Sequence, residues 1–85
     1  MNRNEFLKDY NDFWMQAVKF TYKGKRYSVC GFWAIFAKDD NGESHMIDDN
    51  SLRTKEAALN YKAFDGGTKA LIDIIEEISD VDFSF

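Results

Sequence analysis

Residues 29–37, Val-Cys-Gly-Phe-Trp-Ala-Ile-Phe-Ala, lie in the longest uncharged stretch of the chain. Such a run is too short to cross a bilayer as a helix, which takes about 20 apolar residues. Its aromatics and the turn residues beside it also argue against a long helix. The run predicts a strand buried on both faces, because such strands lose the polar alternation of half-buried ones. Gly31 within it is expected to mark a bend, a bulge or a close backbone approach.

The rest of the chain must fold around that run within 85 residues. That length supports one compact domain, residues 1–85, near the lower size limit for a single core. Aromatic residues make up 16% of the chain. Each buried ring removes about 150–250 Å² from water, so a core is attainable without disulfides or a structural metal. The lone Cys30 has no internal partner for a disulfide, and residues 2–12 lack the continuous apolar segment of a secretory signal. A reducing, cytoplasmic setting and no membrane segment are the expectation.

Residues 2–18 read as an amphipathic helix, with Phe6, Tyr10, Phe13, Trp14 and Ala17 recurring at spacings of three and four. Asn2 is placed to cap its first turn. The period then changes to two. Val18, Phe20 and Tyr22 alternate with Lys19, Thr21 and Lys23, and the alternation resumes after Gly24 through Arg26, Tyr27, Ser28 and Val29. Paired as a hairpin, these segments put the apolar residues on one face and Lys19, Thr21, Lys23, Arg26 and Ser28 on the other.

Asn41-Gly42 is a hairpin signal, since both residues tolerate positive φ. Glu43 to Ile47 then returns as a third or fourth strand. Thr54 can cap a short helix reaching about Lys62, with Ala57, Ala58 and Tyr61 inward. A longer helix is expected from about Thr68, carrying the stripe Leu71, Ile74, Ile75 and Ile78. Val81, Phe83 and Phe85 alternate with polar residues, so the tail either adds a short strand or docks on the core. The expected class is α+β: an N-terminal helix, a three- to four-stranded antiparallel meander, then one short and one longer helix.

The net charge of −4 argues against general nucleic-acid binding, but the charges are unevenly laid out. Residues 13–38 carry Lys19, Lys23, Lys25, Arg26 and Lys38 with no acid, whereas residues 39–49 carry acids alone. After Lys69 every charged side chain is acidic: Asp73, Glu76, Glu77, Asp80 and Asp82. One basic and two acidic areas follow.

Catalytic and metal signatures are missing from the sequence, and no cofactor is implied. One His and one Cys do not make the common Cys/His zinc sites, and Asp39-Asp40-Asn41-Gly42-Glu43 fails the register of a calcium loop. Cys30 and His45 form a formal pair only, since Cys30 is expected to be an inert, buried thiol. Asp65-Gly66-Gly67-Thr68 lacks the Walker ending and reads as a loop with a helix cap.

The sequence therefore points to a small non-enzymatic interaction protein that binds a protein partner or itself through an aromatic-rich sheet face. Phe32, Trp33 and Phe36 would supply contact area, and Lys19, Lys23 and Arg26 would steer an acidic partner. A related reading is an acidic inhibitor that presents Asp73, Glu76, Glu77 and Asp80 to a basic protein. In size and character the chain is similar to small accessory proteins of bacteria and their phages, a likeness carried by no motif. The alternatives are a nucleic-acid-binding module on the basic hairpin face and a small enzyme.

Overall fold

The computed structural model describes residues 2–12, 17–30, 33–47 and 54–84. Helix α1 spans Arg3–Asp12. The Asn2 side-chain oxygen accepts the N–H of Asn4 at 2.7 Å and of Glu5 at 3.4 Å, which satisfies donors that have no partner within the helix. Phe6 and Tyr10, one turn apart, are fully buried and stack with ring centroids 5.8 Å apart. The helix is shorter than its apolar spacing predicts. Ala17 already belongs to strand β1, Ala17–Tyr22, so the alternating pattern overrides the helical one there. Phe13 and Trp14 lie outside the described residues.

Strand β1 turns into β2, Lys25–Cys30, through Lys23 and Gly24 at φ of 50° and 76°. A two-residue turn with both φ positive matches the right-handed twist of the flanking strands. The register sets Val18 opposite Val29 and Phe20 opposite Tyr27, as the alternation predicts.

The uncharged run is not one doubly buried strand. Cys30 pairs with Ala34 and Val29 with Ile35, so the chain reverses between β2 and β3, Ala34–Lys38. Trp33 stands in that reversal at φ 67°. The two strand ends within the run are packed together, with Val29 and Ile35 buried side by side. Gly31, with the bend expected of it, lies outside the described residues.

Strand β4, Ser44–Met46, follows the turn around Asn41-Gly42. Asp39 organises that turn, its Oδ1 accepting the N–H groups of Asn41 and Glu43, each at 2.9 Å. The tail forms β5, Ser79–Ser84, which pairs antiparallel with β1. The sheet therefore has five antiparallel strands in the order β4-β3-β2-β1-β5, one more than the longer meander predicted, because the tail supplies an edge strand and makes β1 internal.

The helices lie on one side of this sheet. Helix α2, Lys55–Asn60, starts where Thr54 Oγ1 accepts the Ala57 N–H at 3.0 Å, and it buries Ala58 and Leu59. The Tyr10 hydroxyl donates to the Lys55 carbonyl at 2.8 Å, tying α1 to α2. The predicted long last helix is shorter than its stripe: α3 covers Leu71–Ile74 and tightens into a 3₁₀ turn at Ile75–Glu77. Acids at its C-terminal end oppose the helix dipole, and the chain must also straighten into β5. Leu71, Ile74, Ile75 and Ile78 are nonetheless all buried. They pack with Phe6, Tyr10 and Phe64 against Val18, Phe20, Tyr22, Val29 and Ile35 of the sheet.

Asp65 fastens the loop between α2 and α3 to the first hairpin. The Tyr22 hydroxyl donates to its Oδ2 at 2.8 Å and the Lys23 ammonium to its Oδ1 at 3.0 Å. These contacts, Tyr22 foremost and Lys23 next, hold the carboxyl below the usual carboxylate range. A depressed acid stabilises the fold above its unfolded pKa of about 3.9 and loses that contribution as pH falls through the folded value. Wild type is therefore expected to melt above Asp65→Asn at neutral pH, with the gap closing under acid conditions. A gap that stays constant from neutral to acid pH in thermal melts would show that the ionised Asp65 carboxylate is not the source.

Candidate functional site: the open face of the sheet

Side chains of a strand alternate between faces, so the register sorts every sheet residue. The residues opposite the helical side form cross-strand rows. At one end Ala17, Cys30 and Ala34 stand together. In the middle run Asp82, Lys19, Ser28, Phe36 and Met46. At the other end Thr21 faces Arg26, Lys38 faces Ser44, and continuing the register sets Arg26 beside Lys38. The face thus grades from small and apolar to cationic.

None of the side chains that form the buried core cluster comes from this face. Phe36 is half-buried, and Met46 is 43% exposed, the one large exposed hydrophobic among the described residues. Lys19, Arg26 and Lys38 stand around a depression of about 130 Å³ that Ser28, Ser44 and Tyr27 also line. Of the other cations, Lys23 pairs with Asp65, and Lys69 approaches both Asp65 and Glu77. Among the described residues Lys19, Arg26 and Lys38 have no ion-pair partner. Arg26 is instead held by neutral oxygens, its Nη1 donating to Thr21 Oγ1 at 3.1 Å and to the Asp80 carbonyl at 2.6 Å.

Of the six residues expected to bind a partner, the structure brings three together here: Lys19, Arg26 and Phe36. Lys23 belongs to the hairpin turn and its ammonium is committed to Asp65. Trp33 packs on the core instead, its ring 6.0 Å from Tyr10 and 5.8 Å from the Lys55 ammonium. Phe32 lies outside the described residues. Lys38, Ser44 and Met46 were missed, because only the pairing of β3 with its neighbours shows that they share a face with Lys19. The tyrosines behave as the alternation predicts: Tyr22 and Tyr27 turn to the core, where both meet Phe64.

The acidic residues do not form one helical face. Asp73 caps α3, its Oδ2 accepting the Ala70 N–H at 2.9 Å. Glu76 and Glu77 lie in the 3₁₀ turn, and Asp80 is in β5 at φ 50°. Cys30 is half-buried on the open face rather than enclosed, and His45, opposite Ala37, belongs to the other face. The two are therefore not a pair. His45 Nε2 instead meets Asp39 Oδ2 at 2.6 Å, and with Glu43 these form an exposed cluster of ligand-type atoms. Hydrogen bonding to His45 first, and then to the turn's N–H groups, keeps the Asp39 carboxyl below its ordinary range. That is the role of a turn-closing side chain.

Among the described residues no helix is long and apolar enough to cross a membrane. Comparison with known protein families, characterised proteins and solved structures yields no match.

Proposed function

We propose that the protein is a non-enzymatic interaction module, working in the cytoplasm, that docks an acidic protein on the open face of its sheet. One observation carries this reading. Lys19, Arg26 and Lys38, unpaired in a chain of net charge −4, gather beside Phe36 and Met46 on the face away from the helices. An apolar area rimmed by uncompensated charge is the usual composition of a docking surface: apolar contact supplies affinity and the rim steers the encounter. Nucleic acid suits this face less well. Single-strand binding needs exposed rings for base stacking, and Tyr22 and Tyr27 are turned to the core.

The test is capture of partners by tagged wild type, Phe36→Asp and Lys38→Glu, with light scattering to follow self-association. Each variant alters the face without touching the core cluster. Both are expected to keep the fold by circular dichroism and to lose about tenfold or more in affinity for the captured protein, since buried contacts and charge pairs each contribute on that scale. Capture that is equal in all three proteins would sink the proposal. A dimer in wild type that dissociates in both variants identifies the partner as a second copy.

A further inference from the structure

We infer that the depression at the cationic end of the open face is a binding site for a phosphate monoester. The inference rests on reading this face as the docking surface and names the chemical group that its basic end receives. Four strands contribute: Lys19 from β1, Arg26 and Ser28 from β2, Lys38 from β3 and Ser44 from β4. No carboxylate lines the depression.

Like charges placed side by side across strands repel. Arg26 and Lys38 are so placed by continuing the register, with Lys19 nearby. Asp82 stands opposite Lys19 across the strands, but among the described residues no carboxylate comes within ion-pair distance of any of the three. The arrangement is one that a bound anion relieves. Arg26 is also pre-positioned. Both of its hydrogen bonds use Nη1, which fixes the guanidinium and leaves Nε and Nη2, the edge suited to two parallel bonds with an oxyanion.

Charge decides which anion fits. A carboxylate or a phosphodiester brings one negative charge and leaves the remaining cations uncompensated. A phosphate monoester brings about −1.5 to −2 at neutral pH and three strong acceptor oxygens. Those oxygens match Arg26 together with Lys19 and Lys38, with the Ser28 and Ser44 hydroxyls as further donors. A phosphorylated side chain and a nucleoside monophosphate both present this group.

The experiment is an amide NMR titration of the whole chain at neutral pH and constant ionic strength. The probes are inorganic phosphate, an uncharged peptide bearing one phosphoserine, its unphosphorylated form, and a nucleoside monophosphate. Saturable shifts are expected at residues 19, 26, 28, 38 and 44 with phosphate and with at least one of the monoesters, and none with the unphosphorylated peptide. Response to only one monoester identifies its source and supports the site equally. Because Arg26 also holds the Asp80 carbonyl, Lys38→Ala is the variant of choice, and it should weaken phosphate binding about tenfold. Shifts that chloride reproduces, that do not saturate, or that survive Lys38→Ala unchanged would overturn the inference. If phosphate fails while capture still depends on Phe36, the phosphate site falls and the docking face stands. If capture ignores both face substitutions, the docking face itself falls.

Discussion

Phe64→Ala is expected to lose about 3–5 kcal/mol of folding stability, the range found when a fully enclosed ring is removed from a core. A domain of this length holds roughly 4–13 kcal/mol in total, so the loss takes a large share of its stability. Phe64 comes from a loop, yet its ring is 2% exposed and lies 5.0 Å from Tyr27, 5.9 Å from Tyr22 and 6.0 Å from Phe20. The Phe64 ring therefore ties the loop directly onto the first hairpin, with Asp65 closing the contact at the rim. Urea unfolding followed by tryptophan fluorescence measures the loss. A change under about 1 kcal/mol would mean that the hairpin is held by its strand neighbours and that the loop is incidental.

Why Phe64 went unremarked in the sequence shows what local patterns encode. It sits after a short helix and before Asp65-Gly66-Gly67, in a stretch with neither period. The turn around it depends on positive φ at Asp65, Gly66 and Gly67, with Phe64 and Lys69 bridged across it. Where a period was present it was informative. The alternation of Val18, Phe20 and Tyr22 with Lys19 and Thr21 set the face of each residue correctly, and the stripe of Leu71, Ile74, Ile75 and Ile78 is buried throughout. Lengths were less legible, because a stripe specifies which side is buried and not how the backbone delivers it. The 3₁₀ turn at Ile75–Glu77 buries Ile75 as well as another α-helical turn would.

The reversal between Cys30 and Ala34 was the costliest omission. No Asn-Gly or Asp-Gly pair marks it, and Trp33 at φ 67° is a residue type that rarely marks such a position. Reading through it as one strand hid the pairing that sets Phe36 beside Ser28 and Lys38 beside Arg26. The basic half of the open face was visible in part, through Lys19 and Arg26. Its apolar half was visible only in Phe36, and Met46 beside it was not. Whether a second layer covers a sheet is decided by where the helices pack, and that information is not local.

Trp33→Ala separates the two faces most sharply. The ring packs on the helical side of the sheet, against Tyr10 and under the Lys55 ammonium. Because it is only half-buried, the loss expected is about 2 kcal/mol, below the full cost of deleting an enclosed tryptophan. Docking by the folded protein should be unchanged, since Phe36 and Lys38 project from the opposite face. A second variant checks the backbone argument. Alanine keeps the penalty of a left-handed φ, whereas glycine adopts it freely, so Trp33→Gly should be more stable than Trp33→Ala by about 1 kcal/mol despite removing one carbon more. Elsewhere glycine would be the worse choice. Should Trp33→Ala leave the urea midpoint untouched and abolish partner capture, the docking surface must lie at the rim of the helical layer around Tyr10 and Lys55. The unpaired cations of the open face would then be an ordinary solvated surface.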